Sequence, residues 1–453
     1  MRLGTSPRPL WMKIVHAMPD TLNGWLRYLE TLHPVGIDMG LERVAAVADR
    51  MGLRKQPLAA SVITIAGTNG KGSTLAMVDR LARAHGLSVG TYTSPHLLHY
   101  NERICLDGIN VTDDYLIKGF EQVEHARLQD PAISLTYFEA GTLCALWCLG
   151  QSALDLVVLE VGLGGRLDAV NILDADVAVV TTIAQDHAGF LGTDIEQIGR
   201  EKAGIFRPAR PAVLGSTSLP VSVRQTAEQL GAPVYALGES FSRHPHAAGW
   251  AWQGMDQSGQ AITLKALPDP GLPLDNAATA LQALTLSGVS LSEARCREAL
   301  ADVRVPGRMQ WVGQWCLDVG HNPHAAAYVA GQLEQKLCTG RTWALLGMLE
   351  DKDAEGVIDA LAAVVTHWVC VDLEGERGRS ATDLAQRLEH RGLAVSHIAS
   401  TPAQGAHWLG TQLNESDRVL ATGSFVTVAE LLGMALPQAV TLPVGEGNEI
   451  RHD

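Results

Sequence analysis

The apolar positions along this chain change period several times, and each change marks an element. Ser61–Ala66 (SVITIA) is a short β-branched run with almost no polar break, the pattern of a strand buried on both faces. It stops at a glycine-rich turn. Beyond that turn Leu75, Val78, Leu81 and Ala82 recur at helical spacing within Ser73–His85, so the segment reads strand–loop–helix. Leu154–Leu159, Val177–Thr182 and Ala212–Leu214 predict further strands, and Phe138–Leu149 carries a helical pattern between them. Residues 22–54 read as helices with turns at His33-Pro34 and Gly36. Strands alternating with helices predict an α/β fold built on a mostly parallel, doubly wound sheet.

Residues 240–275 are rich in Gly, Pro, Trp and Gln and fit either a small antiparallel patch or a long connection. Helical pattern resumes at Asn276–Leu286 and Leu291–Leu300. Val305-Pro306-Gly307-Arg308 is a turn signal, and the domain boundary is expected there, giving domains 1–305 and 306–453. After it, Trp315–Val319, Thr342–Gly347, Trp368–Asp372 and Arg418–Thr422 predict the strands of a second, smaller α/β domain of Rossmann-like type. The tail from Pro437 to Asp453 has little periodicity.

Composition narrows the class. With 453 residues, 46% hydrophobic and 19% charged, the chain is an ordinary globular protein large enough for two or three domains. A net charge of −14 argues against nucleic acid and anionic membranes as partners, although a local pocket can still be positive. The seven cysteines are scattered, without a CxxC pair, as free thiols in a reducing cytoplasm would be. Met1–Asp20 lacks the apolar core of a signal peptide, and no apolar run approaches the ~18–20 residues of a membrane span. A soluble cytoplasmic protein is expected.

Four segments carry candidate chemistry. The first is Gly67-Thr68-Asn69-Gly70-Lys71-Gly72-Ser73, where glycines let backbone N–H groups surround phosphate oxygens at a helix N-terminus. Lys71 would add a point charge there, and Ser73 is placed to hold Mg²⁺. The usual P-loop has glycine six residues before the lysine; Ile65 stands there, so this is a shorter variant. The second is Glu160, a carboxylate ending an apolar strand, followed by the glycine-rich turn Val161–Asp168. In nucleotide-binding sheets such an acid can hold Mg²⁺. The third is Asp186-His187 with Lys202 beyond it. Taken singly, His187 reads as a structural histidine or a metal ligand, and Lys202 as a salt-bridged surface lysine. The fourth is Asp318-Val319-Gly320-His321-Asn322-Pro323, an acid and an imidazole at a strand end in the second domain. Four such features at strand ends of two adjoining domains predict an interdomain cleft.

Together these segments resemble the folate branch of the Mur ligase superfamily. The resemblance is carried by Ile37–Arg43, Gly67–Ser73, Thr93-Ser94-Pro95-His96, Leu135–Glu139, Glu160–Asn171, Asp186-His187 and Arg200–Ile205. It continues through Asn276-Ala277-Ala278, Pro306-Gly307-Arg308, Asp318–Pro323, Gly347-Met348-Leu349 with Asp351-Lys352-Asp353, and Thr422-Gly423-Ser424-Phe425, in family order. Val170 stands where relatives usually have threonine, and Gly320 where alanine is common.

The resemblance implies a Mur ligase-like fold and an ATP-dependent ligase that joins L-glutamate to dihydropteroate and to reduced folates through an acyl phosphate. It implies that Thr68, Asn69, Gly70, Lys71, Gly72 and Ser73 hold ATP, completed by Asn276, Arg308 and Asp318. Ser94, Glu160 and His187 are implied as ligands of two Mg²⁺ ions, with Lys202 as an N6-carboxylysine. Lys71, His187, Lys202 and His321 are the implied catalytic set. Asp38, Met39 and Gly40, Thr136, Tyr137, Phe138 and Glu139, and Leu167, Asp168 and Ala169 are implied to take the pteroate. A folylpolyglutamate synthase alone, a muramyl ligase of the same chemistry and a P-loop switch or ATPase are the rival readings; an NKxD-type guanine reader is absent from the sequence. A monomer is expected.

Overall fold

The structure, a computed structural model, describes residues 18–375 and 377–438. The readings of Met1–Asp20 and of the tail therefore fall almost wholly outside the described residues. Among the described residues seventeen strands form three sheets. The first contains β1 (Ser61–Ala66), β2 (Val89–Tyr92), β3 (Ile104–Leu106), β4 (Ile109–Asn110), β5 (Leu156–Glu160), β6 (Val177–Val180), β7 (Ala212–Leu214) and β8 (Val234–Ala236), in the order β4-β3-β2-β5-β1-β6-β7-β8. From β2 to β8 all neighbours in that order are parallel. β1 is central, with Ile63 opposite Val158 of β5 and Val177 of β6, and is buried on both faces.

The 240–275 stretch resolves as an antiparallel sheet of β9 (Ser242–His246), β10 (Gly249–Met255) and β11 (Ala261–Leu267). Its tryptophans explain its position. Trp250 and Trp252 are buried in the main core, and Trp252 Nε1 donates to Ala278 O at 3.1 Å. The sheet is thereby fastened to helix Leu274–Leu286, whose residues from Asn276 onward are all buried. That helix packs beside the phosphate-loop helix Lys71–Ala84, in one core that contains Leu75, Val78, Leu81 and Leu281.

The last six strands form their own sheet: β12 (Gln310–Val312), β13 (Trp315–Leu317), β14 (Thr342–Leu346), β15 (His367–Val371), β16 (Val395–Ala399) and β17 (Arg418–Thr422), ordered β12-β13-β17-β14-β15-β16. Only β12 is antiparallel to its neighbour. The predicted α/β class thus holds for the eight-stranded and the six-stranded sheets, the latter being the smaller.

Two strands stop earlier than their apolar pattern, for a reason that bears on function. β6 ends at Val180 because Thr181 and Thr182 turn their hydroxyls to Asn69 O, at 2.7 and 3.0 Å. β13 ends at Leu317 because Asp318 folds back to accept from Met309 N and Gly320 N, at 2.9 and 2.8 Å. In both cases polar side chains leave the ladder at the carboxyl end of a parallel strand, where ligands of open α/β sheets bind.

Candidate active site

The loop after β1 is shaped by two glycines. Gly70 caps helix Lys71–Ala84 at φ 87°, and a Cβ there would lie 2.7 Å from Asn276 Nδ2. Gly67 has φ 149°, and a Cβ would lie 1.9 Å from Thr181 Oγ1. Only glycine fits both places. Thr68 N donates to Thr182 O at 2.7 Å, and Asn69 N to Thr182 Oγ1 at 3.1 Å, so β6 braces the loop. Lys71 Nζ folds back to Gly67 O and Thr68 O, at 3.1 and 3.2 Å, which holds its charge over the loop. Asn276 Nδ2 donates to Ser73 Oγ at 2.8 Å. These are the groups of an anion site at a helix N-terminus.

Glu160 ends β5 beside this loop and is buried. Among the described residues its carboxylate has one hydrogen-bond partner, Ser94 N at 3.2 Å. Burial raises its pKa, opposed by the charges of Lys71 and Arg308. Lys202 is buried on helix Ile195–Ala203 and is not a surface lysine; its Nζ donates to Gly67 O at 3.0 Å. Burial, reinforced by the charge of Lys71, brings its pKa down to about 7. A close approach of Gly165 to the Glu201 and Lys202 carbonyls seats the glycine-rich turn against this helix, where a Cβ would lie 2.8 Å from either oxygen. His187 has φ 53°, and burial lowers its pKa to about 4, helped by Lys352 and Lys71. Among the described residues no three His, Cys, Asp or Glu side chains converge as a metal site. The fit to a cation lies instead in Glu160, a buried carboxylate beside Ser94 that has no cationic partner at contact distance among the described residues.

Beside the first strands of the six-stranded sheet lie Arg308, Asp318 and His321. The Arg308 guanidinium carbon stands 5.0 Å from the centroid of the Phe425 ring. His321 Nδ1 faces Val319 O at 2.9 Å, and its Nε2 faces Asp186 Oδ2 at 3.2 Å. Asp186 is the hub between the domains, since its Oδ1 also accepts from Lys352 Nζ at 2.6 Å. Burial alone would raise the Asp186 pKa; His321, His187 and Lys352 together hold it well below the ordinary carboxylate range. Asn69 and Asn322 exchange amide hydrogen bonds at 3.0 Å each way across the same junction.

Most of these residues line one cavity of about 640 Å³. Its walls include Thr68 through Ser73, Ser94, Glu160, His187, Lys202, Asn276, Arg308, Asp318 and His321, which are all the residues expected to bind nucleotide or metal or to catalyse. Sequence reasoning gave no role to Asp186, Asn322 or Lys352, although all three lie inside quoted motifs. Each acts through a partner more than a hundred residues away.

The segments expected to take the acceptor do not line this cavity; they gather behind its Gly162-Leu163 wall. A Cβ on Gly162 would strike the Phe138 ring at 2.5 Å, and one on Gly164 would lie 3.3 Å from Met39 Cε. Arg43 pairs with Asp38 Oδ2 at 2.7 Å and with Glu139 Oε1 at 3.1 Å. Several of these polar groups are already engaged. Thr136 and Glu139 form a capping box for helix Tyr137–Gly150. Asp168 accepts from Leu163 N and Val170 N, at 2.8 and 3.0 Å, and burial raises its pKa to about 6. The Val170 departure keeps that backbone bond, and Gly320 likewise donates its N–H to Asp318.

Two family models match: the Mur ligase middle domain over residues 65–240, and the Mur ligase glutamate ligase domain over 307–425. The dihydrofolate synthase/folylpolyglutamate synthase of Escherichia coli (strain K12) is 46% identical over 414 residues, covering 91% of this chain and 94% of that protein. The protein of the same description from Haemophilus influenzae is 38% identical, with 90% and 95% covered. The Escherichia coli FolC structure in complex with DHPP and ADP superposes with a TM-score of 0.85 at 45% identity, covering 91% of this chain and 97% of that one. A Yersinia pestis bifunctional folylpolyglutamate synthase/dihydrofolate synthase complexed with AMPPNP and Mn gives 0.84 at 44%, covering 91% and 97%. The chain belongs to the Mur ligase family, in its dihydrofolate synthase/folylpolyglutamate synthase branch.

Proposed function

We propose that this enzyme adds L-glutamate to 7,8-dihydropteroate, giving dihydrofolate, and further glutamates to reduced folates, in each case with cleavage of ATP to ADP and phosphate. The observation that carries the reading is the single cavity in which the phosphate loop meets Arg308, Asp318 and His321. A carboxylate cannot acylate an amine directly, because oxide would have to leave. Transfer of the ATP γ-phosphoryl group to it gives an acyl phosphate. The glutamate amine attacks that carbonyl, the C–N bond forms, phosphate leaves with the C–O electrons, and the amine proton passes to the surroundings.

In this reading the loop N–H groups and Lys71 hold the phosphates and offset charge that spreads over the phosphoryl oxygens. Asn276 positions Ser73, and Arg308 and Asp318 close the nucleotide site from the second domain. That closure shields the acyl phosphate from water. His321, held by Asp186, lines the same cavity and is assigned to orient the glutamate or a phosphate oxygen. Ser94, Glu160, His187 and Lys202 as an N6-carboxylysine are the residues that would hold two Mg²⁺ ions. Bound Mg²⁺ supplies charge neutralisation at the transferring phosphoryl group. The Lys202 assignment is supported by its burial at Gly67 O without an anionic partner within hydrogen-bond distance among the described residues. We take domains 1–305 and 306–453 as the working units, and a cytoplasmic monomer as the acting form; the cysteines of the described residues are all free, and no helix among those residues is long and apolar enough to cross a membrane.

The test is turnover by purified protein with ATP, Mg²⁺, glutamate and either dihydropteroate or tetrahydrofolate, with the amide product identified by mass. Product from both acceptors is expected. Activity with tetrahydrofolate alone would reduce the enzyme to tail extension, and silence with both would overturn the reading. The Lys202 modification is read separately, as an intact mass that loses CO₂ on acidification.

A further inference from the structure

The loop after β2 holds a buried cation that the nucleotide reading leaves unused. Arg103 closes the short turn Tyr100–Arg103, and its carbonyl accepts from Thr93 N at 2.8 Å, so its backbone is fixed beside Ser94. The residue is 8% exposed. Its guanidinium carbon lies 5.0 Å from the Tyr100 ring centroid and 5.9 Å from that of Tyr137. Its Nε donates to His96 Nδ1 at 2.9 Å. Among the described residues no carboxylate stands at ion-pair distance, and neither terminal nitrogen has a hydrogen-bond acceptor.

A guanidinium largely withdrawn from water, with its unpartnered terminal nitrogens still open to it, carries a cost without a counter-anion, and two aromatic faces offset only part of that cost. Its place says which anion would complete it. Tyr137 belongs to the acceptor segment, and Glu160 to the phosphate cavity, and both lie within electrostatic reach of Arg103. The cation therefore stands between the patch that takes the acceptor and the cavity that takes the phosphates. The anion that must occupy that position in the reaction is the acceptor carboxylate, the group to be phosphorylated. The planar fork of arginine matches a carboxylate with two parallel hydrogen bonds.

We propose that Arg103 docks the acceptor's carboxylate through its two terminal nitrogens, while His96 fixes its Nε edge. This rests on the acceptor being a pteroate-type carboxylate. The test compares equilibrium binding of dihydropteroate and of its uncharged carboxamide to the full chain, as wild type, Arg103→Lys and Arg103→Gln, with ADP present. Wild type is expected to prefer the carboxylate by about 10- to 100-fold, the range of a charge-assisted hydrogen-bonded contact. R103Q should erase that preference and leave carboxamide and ADP binding within about twofold, with R103K intermediate. A preference that survives in R103Q, or equal weakening of both ligands, overturns the proposal. Should R103Q not fold, a wild-type crystal with dihydropteroate decides: a carboxylate within about 3.2 Å of the guanidinium supports it, and a carboxylate without that contact overturns it. Wild-type protein that turns over dihydropteroate but binds the carboxamide equally well defeats this proposal alone. Failure to turn over either acceptor defeats the functional reading as well.

Discussion

Replacing Asp186 by asparagine should loosen the junction between the two domains. The side chain keeps its volume but loses the charge that faces Lys352 Nζ at 2.6 Å, in a pair whose side chains are 8% and 6% exposed. Lys352 is then left buried without its main counter-charge. Breaking a buried pair by removing one partner typically costs about 3–5 kcal/mol. Asparagine can still accept from Asn322 and face His321, so the lower end of that range, about 3 kcal/mol, is the expected loss. Lys352→Met removes the other charge, and the double variant should lose less than the two single losses combined, with a coupling of about 1–3 kcal/mol. Urea unfolding of the four proteins, followed by tryptophan fluorescence, measures both quantities. The pH dependence follows from the lowered pKa of Asp186. A carboxylate whose folded pKa lies below its unfolded value of about 4 contributes fully above that value and loses its contribution as pH falls through the folded pKa. The part of the gap carried by the Asp186 charge should therefore be present in full above about pH 4 and shrink as pH falls below it, and protonation of the imidazole that faces that charge at 3.2 Å adds to the gap between neutral pH and there. A loss under about 0.5 kcal/mol, additive single effects, or a gap that already shrinks between neutral pH and about 5 would refute the junction as described.

Other substitutions separate phosphate binding from folding. Lys71→Ala should lower kcat by about 10²–10³ with little change in melting temperature, because among the described residues Lys71 Nζ bonds only to carbonyls of its own loop. Gly67→Ala must force its new methyl against Thr181 at a positive φ, so it should destabilise by at least about 1–3 kcal/mol and abolish nucleotide binding measured with a fluorescent ATP analogue. Glu139→Ala removes the acceptor for Thr136 N at 2.8 Å and for Arg43 at 3.1 Å, and should cost at least about 1 kcal/mol in ligand-free unfolding. An unchanged unfolding midpoint for E139A would mean that its carboxylate serves ligand rather than fold.

The legible part of the fold was its buried parallel core. β1 and β17 begin and end where the apolar runs do, because a strand covered on both faces tolerates little polar interruption. β2 (VGTY) and β16 (VSHIA) escaped notice. The first is four residues long with a glycine inside, and the second is an edge strand half open to solvent. The strand pattern in 240–275 was obscured by glycines and tryptophans, and its fold is fixed by Trp250 and Trp252 reaching a core made elsewhere. In the site, the phosphate loop was readable because the loop and its chemistry are contiguous. Lys202 alone looked like a surface residue, and only the resemblance placed it at the centre; burial against Gly67 gives the physical reason. Asp186, Lys352 and the Asn69–Asn322 pair carry no local signal, since each exists only once the two sheets meet.

The central claim is that ATP activates the acceptor's own carboxylate, and oxygen transfer tests it most directly. Dihydropteroate labelled with ¹⁸O in its carboxylate is incubated with the enzyme, ATP, Mg²⁺ and glutamate, and the released phosphate is analysed by mass. The account predicts one ¹⁸O in each phosphate released, in step with dihydrofolate formed. Phosphate released without label, or without any amide product, would contradict it.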